Sequence, residues 1–322
     1  AGITFSELAI LFDQVQLALW GHVGTLLLTT LAPTWFEREA NLSAVLALIP
    51  LFRLVSLGMP VFFPEALYWL PLVYGSLLPA CYLVVRIVRT TPHEPDEIDS
   101  SAPKLLDAPA EVEPTSDQER RGLIRDRVTR IPLLNRLIVS SASKTESDGG
   151  KVVTTTTQEG LSPGASVRRV TRVMTKWRLV AALLFPGIVI SIVLAEVEYL
   201  VIDPQPLVQT LGINEILALS VLMIGLVGFV EELLFRGLLQ RTLQRHVGRS
   251  QGLLLASFLF GLTYSVYGLP EGMLLGSAIA LLFGQFYDWT DSLVLVSIMH
   301  GVLNVFLFAI VPIRGPVLLA FL

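Results

Sequence analysis

Long apolar runs separated by short polar breaks cover most of this chain. They fall at about 15–31, 42–63, 64–88, 177–200, 216–239, 253–267, 272–286 and 293–311. A hydrocarbon core about 30 Å thick takes roughly 20 helical residues. The pattern therefore predicts an all-α polytopic membrane protein with about eight transmembrane helices. An amphipathic lead reaching back to Phe5 is expected before the first run. Trp35 falls at interface depth after it, and Pro71 and Pro79 predict bends in the third.

The pattern breaks over 90–170. Residues 93–119 are acidic and contain prolines, 120–136 are basic with interleaved leucine and isoleucine, and 140–166 are rich in Ser, Thr and Gly. Too little apolar surface is available there to offset ordering entropy, so a largely disordered loop is expected. Within it, 122–139 reads either as a basic amphipathic helix on the membrane surface or as a solvated linker. Its charge could recruit substrate or an anionic membrane. Three parts follow: an N-terminal three-helix membrane region (1–89), the loop (90–170), and a membrane core (171–322) containing a four-helix catalytic unit.

Composition agrees with this reading. Of 322 residues, 53% are hydrophobic and 16% charged, which excludes an ordinary soluble domain. The single cysteine, Cys81, excludes an internal disulfide and a cysteine-rich metal site. Basic residues crowd both ends of the large loop and follow the fifth run at Arg241, Arg245 and Arg249. By the positive-inside rule the loop and the site face the cytoplasm, and both chain ends lie outside. Asp288 and Asp291 fall in an inside turn, where acidic residues carry little weight. A cell-membrane location is expected, with no cleavable leader, because no basic start precedes the first run.

Ionisable groups inside the runs are costly and usually functional. Glu231 and Glu232 lie late in the fifth run, and Arg236 stands one turn beyond Glu232. Glu232 and Arg236, at i and i+4, can pair on one helix face. Glu231 is rotated by about 100° and can stay free for proton transfer. The plainer alternative is a structural pair at a helix end with Glu231 reaching toward water. Arg53 must face the bundle or a wet cavity. His22 reads as a hydrogen-bonding bundle residue.

Two further polar pairs sit at i and i+4: His300 with Asn304 in the last run, and Phe260 with Tyr264 in the sixth. Counting about 1.5 Å per residue, Glu231 and His300 lie at similar depth, near roughly 12–13 Å. Such a set suits amide hydrolysis. A carboxylate can activate water, while a histidine and an asparagine donate to the developing oxyanion. A metal would need more ligands than Glu231 and His300 supply. Zinc is the ion to consider at these two residues.

The pattern Glu231-Glu232-xxx-Arg236, then Phe260 in a following run, then His300-xxx-Asn304 resembles that of the CPBP (Abi) intramembrane proteases, which include the type II CAAX prenyl endopeptidases. The likeness extends over about 177–311. It implies an intramembrane (metallo)endopeptidase acting on membrane-anchored or prenylated peptides within the lipid bilayer, with no nucleic-acid partner. Glu231 would activate water, Glu232 and Arg236 would hold the geometry, and His300 and Asn304 would polarise the scissile carbonyl. The chain departs from the family at Tyr264, which stands where the motif has a histidine. Tyrosine can still donate to an oxyanion. The alternative is a catalytically inactive relative acting as a peptide-binding, scaffold or immunity protein. A transporter is disfavoured by the lack of an inverted repeat.

Overall fold

In a computed structural model, residues 1–36, 39–59, 66–90 and 163–316 are described. All of these but Pro163 belong to one compact unit. The proposed amphipathic segment 122–139 lies outside the described residues. All regular structure among the described residues is helical. Helix α1 spans Gly2–Leu11, α2 Val15–Leu31, α3 Ala40–Gly58, α4 Ala66–Thr90 and α5 Pro163–Ile202. Helix α6 runs Ile213–Val247, α7 Arg249–Leu262, α8 Pro270–Thr290 and α9 Leu293–Arg314. The segment expected as an amphipathic lead is a separate helix, α1, packed on α2; it is not amphipathic, since it buries Ser6 and Glu7 and exposes Phe5 and Leu8. Helix α5 starts at Pro163, so its helix extends back into what sequence assigns to the loop. Helix α4 is continuous through Pro71 and Pro79.

Among the described residues, six helices (α2 to α6 and α9) are long and apolar enough to cross a membrane. The other two expected spans fall on α7 and α8. Helix α7 has only 14 α-helical residues, about 21 Å at 1.5 Å per residue, and continues as a 3₁₀ turn, Thr263–Tyr267. Helix α8 is 21 residues long but carries Glu271, Gln285 and Asp288. The two pack tightly on each other. A Cβ on Gly261 would lie 1.8 Å from Ser277 Oγ and 2.5 Å from the Met273 carbonyl oxygen.

Glycine also sets the contact that matters most for the site. A Cβ on Gly301 of α9 would lie 2.4 Å from the Ile224 Cα of α6, and one on Gly228 would lie 2.9 Å from the Ser297 carbonyl oxygen. These two glycines bring the backbones of α6 and α9 together, as small residues do between membrane helices. Gly301 follows His300, and Gly228 precedes Glu231 by three residues. Residues Gly187 and Met299 similarly join α5 to α9.

One end of the bundle is closed by charge pairs. Asp288 accepts from Arg249 Nε at 2.9 Å and from Gln240 and Gln244. Asp291 pairs with Lys176 and Arg241. The acidic turn and the basic residues around it are thus partners at the same end, which explains why aspartates occur in a basic region.

Candidate active site

Helix α6 is irregular around its carboxylates. Two π-helical stretches, Met223–Gly228 and Leu233–Gln240, bracket the short α-helical segment Phe229–Glu232. Such π segments recur at functional sites, because the extra residue re-aims the side chains beyond it. Here Glu231 and Glu232 both meet the same histidine. His300 Nδ1 is 2.7 Å from Glu232 Oε1, and its Nε2 is 3.3 Å from Glu231 Oε2. With an acceptor at each nitrogen, the ring donates to both only as an imidazolium.

The two carboxylates differ in access. The Glu232 side chain is sealed at 0% exposure, whereas Glu231 retains 16%. The second oxygen of Glu232 is 3.0 Å from Arg236 Nε. Arg236 Nη2 donates to the Ala280 carbonyl at 3.1 Å, and the guanidinium lies 4.9 Å from the centre of the Phe260 ring. Glu232 and Arg236 therefore tie α6 to α7 and α8, and Glu231 is the carboxylate left facing accessible space.

Aromatic rings wall the site. Phe260 and Phe283 flank His300 at ring-centre distances of 5.8 and 5.9 Å, and Phe235 meets Phe260 edge-on at 4.9 Å. Tyr264 lies 5.8 Å from Phe260. Asn304 is buried one helical turn beyond His300. The structure thus gathers Glu231, Glu232, Arg236, Phe260 and His300 into direct contact. Tyr264 stands at the edge of that set, its ring against Phe260 and Gly276.

Three residues at the site were missed in sequence. Tyr74 of α4 donates its hydroxyl to Glu231 Oε1. No sequence signal marks it, since one tyrosine in an apolar helix is ordinary. Glu198 of α5 is buried, and its Oε2 has no hydrogen-bond partner. An acidic residue late in an apolar run was a readable signal. Glu7 is the third. It is fully buried and takes two bonds from Arg53, at 2.7 and 2.9 Å, and one from Ser265 at 2.6 Å. Ser265 is the neighbour of Tyr264, so α1 and α3 anchor the turn that carries the tyrosine. Arg53 faces the bundle, as expected. His22 is also buried, with Nε2 3.4 Å from Glu7.

The donor set does not fit a catalytic zinc, which typically takes three protein ligands. Of the candidate ligands, Glu231 offers a carboxylate and His300 one nitrogen. The other His300 nitrogen is held by Glu232, and Glu232 by Arg236. Among the described residues no group of three or more His, Cys, Asp or Glu is placed to hold a metal.

Fold and site together define a polytopic all-α membrane protein built around a Glu-Glu-Arg-His cluster. Over residues 213–306 the chain matches the family model described as Rce1-like, type II CAAX prenyl endopeptidase Rce1-like. The likeness covers that stretch alone, under a third of the chain, and is to a family of CAAX-type proteases. Neither the comparison with curated proteins nor that with solved structures returned a match. The matched stretch holds Glu231, Glu232, Arg236, Phe260, Tyr264, His300 and Asn304. Glu7, Arg53, Tyr74 and Glu198 lie outside it.

Proposed function

We propose that the protein is an endopeptidase that hydrolyses a peptide bond of membrane-anchored or prenylated substrates. The observation that carries this reading is His300 held between two carboxylates of unequal access. Glu231, the accessible one, removes a proton from water as the water oxygen adds to the scissile carbonyl carbon. His300 and Asn304 stabilise the resulting oxyanion. The proton held by Glu231 then passes to the amide nitrogen, the C–N bond breaks, and an amine and a carboxylic acid leave. Glu232 and Arg236 hold His300 in place. The site and the large loop face the cytoplasm in this reading, supported by the basic residues at that end.

The test is cleavage of membrane-anchored and prenylated C-terminal peptides by purified protein in liposomes. Glu231→Ala is expected to lower turnover about 10³-fold, within the range for loss of a general base, while leaving the thermal midpoint close to that of the unaltered chain. Full activity in that variant would sink the reading. A second reading, a non-catalytic membrane-peptide binder, is favoured by Tyr264 at the motif-histidine position and by the Tyr74 bond to Glu231. It predicts peptide binding without turnover.

A further inference from the structure

Glu231 lines a crevice between α3, α4 and α6, together with Phe52, Tyr74, Leu77, Val230, Leu234 and Phe235. Five of these six neighbours offer only hydrocarbon. A carboxylate against such a wall gives up water without gaining a partner, which is costly. Tyr74 supplies the one donor in that set, and its hydroxyl bonds to Glu231 Oε1. The phenol is itself held in place. It is buried, and its ring centre lies 5.7 Å from that of Phe52 on α3. The other carboxylate oxygen, Oε2, lies 3.3 Å from His300 Nε2. The two oxygens of Glu231 are therefore not equivalent. One is turned to a fixed phenol on α4, the other to the histidine of α9.

Resting on the endopeptidase reading, we propose that Tyr74 is a positioning residue of the reaction: by holding Oε1 it fixes the plane of the Glu231 carboxylate and commits Oε2 to the attacking water. The proton taken from water then lands on the oxygen beside His300. Glu231 becomes a neutral acid with its O–H at Oε2, while Oε1 still accepts from Tyr74. A proton on Oε1 instead would turn the phenol into an acceptor and leave its own proton, the only one it has, facing hydrocarbon. The acid form is thus held with its O–H on the substrate side, and delivery of that proton to the amide nitrogen needs no rearrangement. Tyr74 keeps its proton throughout and adds no covalent step. Its helix, α4, lies outside the family-matched residues, so this bond brings the N-terminal region into the reaction.

The experiment is turnover of membrane-anchored and prenylated C-terminal peptides by the full chain in liposomes, with Tyr74→Phe measured beside Glu231→Ala. Phenylalanine keeps the ring against Phe52 and removes only the hydroxyl. The variant is expected to lower kcat about 10²-fold, the cost of a reacting group displaced by about 1 Å. KM should stay within about threefold of the unaltered chain, because the lost interaction serves the transition state and not binding. The pH profile of kcat should also move, since the proton-accepting group has lost a donor, whereas a merely structural residue scales that profile without moving it. Full kcat in Tyr74→Phe, with Glu231→Ala inactive, overturns the proposal and leaves the endopeptidase reading standing. So does a raised kcat, which marks the bond as a block on Glu231, and so does a loss with the pH profile unmoved. If the unaltered chain cleaves none of the peptides, both fall together.

Discussion

The bundle holds two buried clusters built from the same residue types. One joins Glu7, His22, Arg53 and Ser265; the other joins Glu231, Glu232, Arg236 and His300. In the first, one carboxylate takes a two-pronged arginine and a serine hydroxyl, so its charge is matched and its lone pairs are used. In the second, one carboxylate is held by Arg236 and His300, while the other, Glu231, takes Tyr74 and His300 and keeps 16% exposure. A buried carboxylate held by an arginine ties helices together, whereas a partly accessible one held by a phenol and a histidine is equipped to move a proton.

The contrast can be broken from either side. The largest effect is expected from Arg53→Ala, which strands Glu7 in the bundle. Loss of one partner of a buried ion pair costs about 3–5 kcal/mol, read as a lowered unfolding midpoint in detergent. The double variant Glu7→Leu/Arg53→Leu should recover most of that, since apolar replacement of a buried pair is often neutral. Recovery of stability alone by the double variant marks the first cluster as structural. Glu231→Gln should do the reverse, lowering cleavage about 10³-fold with stability changed by less than about 1 kcal/mol. Next comes Gly301→Ala, which forces α9 away from Ile224. Overpacking of this kind costs about 1–3 kcal/mol, and turnover should fall with stability because the distance from His300 to Glu231 depends on that contact. The smallest effect is expected from Tyr74→Phe, at about 1 kcal/mol for one lost hydrogen bond, seen by the same thermal measurement.

Much of the site could be read from residue type and spacing. Acidic and basic groups in apolar runs carry a cost that few roles offset, so Glu231, Glu232, Arg236 and Arg53 stand out. The i and i+4 rule is enough to pair Glu232 with Arg236. The partners that cross between distant helices could not be read this way. Tyr74 reaches Glu231 across 157 residues and Ser265 reaches Glu7 across 258, and no local periodicity encodes such pairs. Glu198 was readable in principle, as an acid near the end of an apolar run. Helices α7 and α8 read as spans because the apolar residues run through the turn at Thr263–Tyr267; the 3₁₀ geometry that shortens α7 has no such signature.

The bond from Ser265 to Glu7 also bears on how the molecule is made. Glu7 and Arg53 are 46 residues apart, so they leave the ribosome close together and can enter the membrane as a neutral couple. Ser265 follows Arg53 by 212 residues, which at 5–20 residues per second is a delay of about 10–40 s. For that interval the first helices hold a carboxylate whose third partner has not been synthesised. A later helix therefore completes a pair made well before it, and a nascent chain halted before Ser265 would expose an unfinished acceptor to whatever assists membrane insertion.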